Sequence, residues 1–181
     1  MEFTHLAKDG PVLLTPIVHT DERGFFMETF RQNDFEEHCG QYTFVQDNHS
    51  RSTANVLRGL HYQLKHPQGK LIRVIQGEVF DVAVDLRKSS ATFGKHFSVR
   101  ISAENKQMFW VPPGFAHGFL VLSDTAEFIY KCTSYYDPTD EYCILYNDPT
   151  LAIEWPALSG PYITSAKDAK GSDFTNCAKY D

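Results

Sequence analysis

The chain has 181 residues, with 17 Lys and Arg against 23 Asp and Glu and a formal charge of -6. That length suits one domain, residues 1–181, burying about 70 % of the surface its unfolded chain exposes. With mild acidity and no Lys/Arg run, no non-specific nucleic-acid surface is expected, while overall charge leaves a local cationic pocket open.

Phe, Tyr and Trp supply 14 % of the residues, mostly inside apolar alternations, as expected of a β-rich interior or a pocket that grips a flat ring. Cys39, Cys132, Cys143 and Cys177 form no Cys-x-x-Cys pair, and the first residues do not resemble a secretory signal. The expectation is a reduced, cytoplasmic protein. No apolar run approaches the roughly 20 residues of a membrane-spanning helix, so no membrane role is expected.

In chain order, Val12–Leu14 and Pro16–Val18 read as edge strands broken by Pro11 and Pro16, a terminal arm of the kind that packs against a second subunit. Asp21–Gly24 reads as a turn and Phe25–Phe30 as the strand after it. Asn33–Gly40 reads as a short helix, with Asn33 as N-cap, acidic residues in the first turns and Gly40 just past the end. Gln46–Ser50 is too polar for a core and too rich in hydrogen-bonding side chains for a plain linker, so it is a candidate lining for a polar ligand.

Val56–Gln63 alternates around Gly59 as a half-buried strand. An unbroken strand puts Leu57, Gly59, His61 and Gln63 on one face and Arg58, Leu60 and Tyr62 on the other. A joint role for Arg58 and His61 therefore requires a kink at Gly59. Leu71–Ile75 and Val79–Leu86, separated by Gln76-Gly77-Glu78, read as a hairpin. Arg87–Lys95 reads as a polar loop, and strands follow at His96–Ser102, Met108–Val111, Phe119–Leu122, Glu127–Tyr135 and Tyr142–Tyr146. Short strands with turn residues every eight to twelve positions predict an all-β sandwich or barrel with few short helices.

Pro113-Gly114-x-x-His117 resembles the second half of the cupin signature, which implies a double-stranded β-helix, or jelly-roll barrel, with functional groups inside. The metal-binding half is missing, because His61 is followed by Gln63 where metal cupins carry a second histidine. His61, Glu78 and His117 make a poor site for a metal wanting three or four ligands, so no metal is expected.

The blocks Gly24-Phe25-Phe26, Gln46–Ser50, Leu57–Gln63, Gly69-Lys70, Gly77–Asp85, Pro113–Gly118 and Glu127–Tyr130 occur in order. Together they resemble dTDP-4-dehydrorhamnose 3,5-epimerase from about residue 10 to Asp168. The resemblance implies a nucleotide-linked 4-keto-6-deoxyhexose substrate, inversion at C3 and C5, no cofactor, and a homodimer whose arm, about residues 1–30, crosses to its partner. Such chemistry needs a base on one face of the sugar ring, an acid on the other, and a group that holds charge on O4 between them.

By the resemblance, His61 is the base, Asp168 its carboxylate partner, Tyr130 the proton donor and Lys70 the support for the enolate oxygen. Each has an ordinary alternative: a core histidine, a Ser165–Asp168 capping box, a core tyrosine and a turn lysine. Arg23, Glu28, Gln46, Asn48, Arg58, His117, Glu141 and Lys167 correspond to positions holding nucleotide, pyrophosphate and sugar, with Phe26 and Tyr136 around thymine and sugar. The tail after Asp168 matches no pattern. The rival readings are a mono-epimerase of a related deoxysugar, a metal-dependent cupin enzyme and a non-catalytic sugar binder.

Overall fold

The computed structural model describes all 181 residues. In chain order its strands are β1 (Glu2–His5), β2 (Val12–Thr15), β3 (Val18–Asp21) and β4 (Gly24–Met27), then helix α1 (Gln32–Cys39) and β5 (Gln46–Thr53). There follow β6 (Leu57–Gln63), β7 (Lys70–Gln76), β8 (Glu78–Asp85), β9 (His96–Ser102), β10 (Met108–Val111), β11 (Phe115–Val121), β12 (Thr125–Cys132) and β13 (Glu141–Cys143). A six-stranded sheet, β1-β2-β10-β7-β12-β5, faces a five-stranded sheet, β13-β6-β11-β8-β9. This is the expected cupin-like jelly roll. β3 and β4 pair only with each other. No helix is long and apolar enough to cross a membrane.

The layers are held by inward side chains of both sheets. Ile72, Val74, Phe109 and Phe128 from one meet Val79, Ala83, Ile101, Phe115, Phe119 and Val121 from the other in one buried cluster. Phe119 stacks on Phe128 at 4.5 Å between ring centres. Burying side chains of this size stabilises the fold by about 1.5–3 kcal/mol each.

Three expectations are corrected. The predicted hairpin at Gly77 is a corner: β7 pairs with β10 and β12, while β8 pairs with β11 and β9. Only Gly77 lies outside the two strands, too little chain for a hairpin turn, so the chain steps from one sheet to the other. Gly77 sits at φ +75°, and a Cβ there would lie 2.0 Å from the Thr125 carbonyl oxygen. Gln46–Ser50, expected as a lining for a polar ligand but given no secondary structure, lies in β5 at the edge of the six-stranded sheet. Its polarity hid it, because the positions opposite Cys132, Tyr130 and Phe128 are Gln46, Asn48 and Ser50. Helix α1 begins earlier than predicted, with Arg31 as its cap and its carbonyl accepting the Phe35 N–H at 3.0 Å, while Asn33 lies inside the helix. Gly40 does end it, at φ +97°. The strand expected over Phe25–Phe30 stops at Met27.

The unmatched tail is ordered by packing. Phe174 and Cys177 are buried in a second core with Leu60, Tyr62, Leu86 and Ile144. Tyr62 donates its hydroxyl to the Ala178 carbonyl at 2.6 Å, and the Tyr180 hydroxyl bonds the Gln63 carbonyl. The tail thus braces β6 from behind.

Candidate active site

β6 and β11 form one wall. Their register pairs His61 with His117 and Arg58 with Phe119, so three steps along β6 match two along β11. One extra residue is therefore accommodated beside Gly59, as in a β-bulge. Residues directly opposite in a sheet share a face, and His117 and Phe119 are two apart. Arg58 and His61 consequently share the interior face, which is the kink their joint role required. Gly59 permits it: at φ +109° a Cβ would lie 2.6 Å from both Gly118 Cα and the His117 carbonyl oxygen.

His61 donates its Nε2–H to Asp168 Oδ1 at 2.6 Å. The Asp168 carboxylate side chain is only 4 % exposed, and its second oxygen receives a long contact from the Gly59 N–H at 3.5 Å. Burial alone would raise this carboxyl. The hydrogen bond and charge of His61, with help from Gly59 and Ser165, outweigh it and hold the carboxyl below its ordinary range. Ser165 Oγ accepts the Asp168 N–H at 3.0 Å. The hydroxyl half of the predicted capping box is thus present, while the carboxylate half is directed to the imidazole.

The facing wall is the six-stranded sheet. Tyr130 lies between Asn48 and Ile72, and Cys132 between Gln46 and Lys70. Phe128, two residues before Tyr130, stacks across the interior, so Tyr130, Asn48, Gln46, Lys70 and Cys132 also face inward. Burial is the main cause that raises the Tyr130 phenol. Cys132, Glu141 and Tyr136 add to it and the Arg58 charge opposes it, leaving the hydroxyl protonated at neutral pH. Burial draws the Lys70 ammonium down, against the charges of Cys132, Glu141 and Asp81.

A second histidine–aspartate pair lies deeper. His117 Nε2 is 2.7 Å from Asp81 Oδ1, with side chains 8 % and 0 % exposed. Burial lowers the His117 imidazole despite Asp81, and raises the Asp81 carboxyl despite His117 and Lys70. A neutral imidazole follows.

The rim joins the walls. Tyr136 donates its hydroxyl to Glu141 Oε2 at 2.6 Å and its N–H to Gln46 Oε1 at 2.9 Å, while Gln46 donates to Asn48 Oδ1 at 3.0 Å. The Lys167 ammonium bonds the same Glu141 oxygen. Burial would raise Glu141, but Lys167, Tyr136 and the His61 charge keep it lowered.

His61, Asp168, Tyr130, Lys70, Gln46, Asn48, Arg58, His117, Tyr136, Glu141 and Lys167 are therefore gathered at one end of the barrel. Arg23, Phe26 and Glu28 are not. Arg23 pairs with Asp21 at 2.5 Å and Glu28 with Arg31 at 3.0 Å, both near the separate β3–β4 ribbon. Phe26 is 71 % exposed.

Three residues escaped the sequence reading of the site. Asp81 is an acid at an inward position between Val79 and Ala83, a signal visible in the alternation. Ser165 was read only as a cap, and Cys143, directly opposite His61 in β13, had no signal. Its thiol is pushed up to about 12, chiefly by burial, so it is no nucleophile at neutral pH. Gln63 is not a metal ligand, because its amide serves the His66 and Tyr135 carbonyls and the Asp137 N–H. A base with a buried carboxylate on one wall, a phenol on the other and an ammonium beside them suit proton transfer across a flat carbonyl compound.

A family model described as dTDP-4-dehydrorhamnose 3,5-epimerase matches residues 5–176. Curated relatives with that description include one from Pseudomonas aeruginosa, 54 % identical over 177 residues, covering 97 % of each chain. Another, from Salmonella typhimurium, is 58 % identical over 160 residues, covering 87 % of each. Among solved structures, the dTDP-6-deoxy-D-glucose-3,5-epimerase of Legionella pneumophila in complex with dTDP-4-keto-L-rhamnose superposes with a TM-score of 0.94 at 49 % identity. That match covers 98 % of this chain and 94 % of the other.

Proposed function

The chain belongs to the dTDP-4-dehydrorhamnose 3,5-epimerase family, and from that premise we propose how its residues convert dTDP-4-dehydro-6-deoxy-D-xylo-hexose into dTDP-4-dehydro-L-rhamnose. The observation that carries the reading is the placement of the His61–Asp168 pair and Tyr130 on the inward faces of opposite sheets.

The C4 ketone acidifies the hydrogens on C3 and C5. His61, through the Nδ1 not bonded to Asp168, takes the proton from one of these carbons. The C–H electron pair becomes the enolate double bond, and the carbonyl pair moves to O4. Lys70 stabilises that oxygen, where a compact ammonium matches a single developing charge. The O4 pair then re-forms the carbonyl and the enolate double-bond pair takes a proton from Tyr130 on the opposite face of the carbon, which inverts it. The phenolate left behind is stabilised by Arg58 and reprotonated from solvent, while the imidazolium, stabilised by Asp168, loses its proton to solvent. The same groups then act at the second carbon.

Arg58 and Lys167 bind the pyrophosphate, a pairing of cations with phosphate oxygens. Gln46, Asn48, His117 and Glu141 hold the sugar and nucleotide, and Tyr136 packs against the base. Arg23, Phe26 and Glu28, exposed on the β3–β4 ribbon and after it, serve the pocket of a second copy in a homodimer. The chain works as one domain in the cytoplasm, without a cofactor.

The test is to incubate the protein with the 4-keto nucleotide sugar and assign the product by NMR after reduction at C4. Inversion at both C3 and C5 supports the reading. Inversion at one carbon identifies a mono-epimerase, and none, with binding retained, identifies a sugar-binding protein.

A further inference from the structure

His61 and Asp168 have a third neighbour that the epimerase chemistry does not use. The thiol of Cys143, one imidazole nitrogen of His61 and one carboxylate oxygen of Asp168 all lie within 4.8 Å of one another. β13 sets this up by pairing Cys143 directly with His61, which brings their Cβ atoms to about 4.5–5.5 Å. Asp168 arrives from the turn on the other side, fixed by Ser165.

A tetrahedral Zn²⁺ with one sulfur, one nitrogen and one oxygen ligand has bond lengths of about 2.0–2.3 Å, hence donor atoms about 3.3–3.7 Å apart. Reaching that size requires the His61 nitrogen and the Asp168 oxygen, 2.6 Å apart, to separate by somewhat less than about 1 Å while the thiol turns inward, which side-chain rotation supplies. The thiol is free to turn: its contacts are loose ones, 3.6 Å to the Ile144 carbonyl and 4.0 Å to the Asp168 carbonyl. Sulfur, imidazole and carboxylate together suit a thiophilic borderline cation and not Mg²⁺ or Ca²⁺, which take oxygen ligands. Three protein ligands leave the fourth position to water.

We propose that His61, Cys143 and Asp168 form a binding site for a thiophilic divalent cation, Zn²⁺ or Cd²⁺, whose occupancy shuts the enzyme off. The ion displaces the Cys143 thiol proton to solvent and replaces the Nε2 proton shared by His61 and Asp168, which moves to Nδ1; the nitrogen that would act as base is then already protonated, so binding and base catalysis are mutually exclusive. The inhibition rests on His61 being the base; the binding does not. Cys143 supplies the sulfur that makes the site selective for such ions, and it takes no part in the epimerisation.

The experiment uses Co²⁺ as a spectroscopic probe and Zn²⁺ as inhibitor, on the full chain and on Cys143→Ala, with Cys39→Ala, at the end of α1 and away from the site, as a control for a cysteine outside the cluster. Expected results are a thiolate-to-cobalt charge-transfer band in the near ultraviolet for the unaltered protein and Cys39→Ala, lost in Cys143→Ala. Zn²⁺ should inhibit the first two at least 10-fold more tightly than Cys143→Ala, each referred to its own metal-free activity and reversed by a chelator. Equal Zn²⁺ sensitivity with and without Cys143, or no charge-transfer band, overturns the site. A band without inhibition leaves the binding standing and overturns the shut-off, pointing instead against His61 as the base.

Discussion

The Asp168 carboxylate accepts the His61 Nε2–H at 2.6 Å while being almost wholly withdrawn from solvent. In the proposed mechanism the pair combines a fixed tautomer with a charge that stabilises the imidazolium formed when His61 takes a carbon-bound proton. Asp168→Asn keeps the size of the group and removes the charge. It should lower kcat by about 10²–10⁴ with KM changed far less, because the pair acts after the substrate is bound. A steady-state series measures this; a rise in KM at unchanged kcat would mean that Asp168 serves binding only.

Gly59 is held at φ +109° with no room for a Cβ beside Gly118. Gly59→Ala should destabilise the fold by at least about 2 kcal/mol from backbone strain and contact together, and should cost activity out of proportion, because the bulge aims both Arg58 and His61. Urea unfolding and kcat/KM measured on the same preparation test the two parts. Unchanged stability would show that the strands of this wall can separate freely.

Asp140 and Asp148 accept only hydrogen bonds from backbone N–H groups or Thr150: Leu64, Lys65 and His66 for the first, and Thr150, Leu151 and Phe174 for the second. Burial alone would raise both carboxyls, but these donors outweigh it and both are lowered. A lowered folded pKa means that the unfolded chain binds more protons near its own value of about 3.9. Their stabilisation is therefore complete above that pH and is lost as pH falls through the folded values. Asp81, raised by burial, has the opposite sign. Asp140→Asn should lower the melting temperature at pH 7 and lower it much less at pH 3; equal losses at both would rule out an electrostatic origin.

Phe174 is buried at 7 % exposure against the core behind β6. Phe174→Ala should cost about 3–5 kcal/mol of stability, read from the urea midpoint at unchanged slope. A loss below about 1 kcal/mol would mean the tail is only loosely attached.

Much of the fold was legible because β7, β8 and β10 are short, largely apolar runs and β9 alternates, each bounded by turn residues. What was not legible depended on pairing partners. Nothing local says that β7 and β8 belong to different sheets, since a hairpin and a corner both put glycine between two apolar strands. β5 was hidden because its inward face is polar, for the same reason that it lines the site. The requirement for a kink at Gly59 was visible in the alternation, but its presence became visible only through the register with β11. Arg23, Phe26 and Glu28 cannot be joined to the pocket within one chain, and the tail carries no periodicity because its order comes from Tyr62, Gln63 and Leu86.

The central claim is that His61 and Tyr130 act from opposite faces of the sugar ring. Its most direct test is NMR in heavy water with Tyr130→Phe and His61→Asn beside the unaltered protein, following exchange and configuration at C3 and C5 together. Tyr130→Phe should still exchange protons for deuterons, because His61 remains to take a proton and return a deuteron to the same face, yet should give little or no inversion. His61→Asn should do neither. Inversion by Tyr130→Phe at the unaltered rate would contradict the account, because the donor would then have to be a group other than Tyr130.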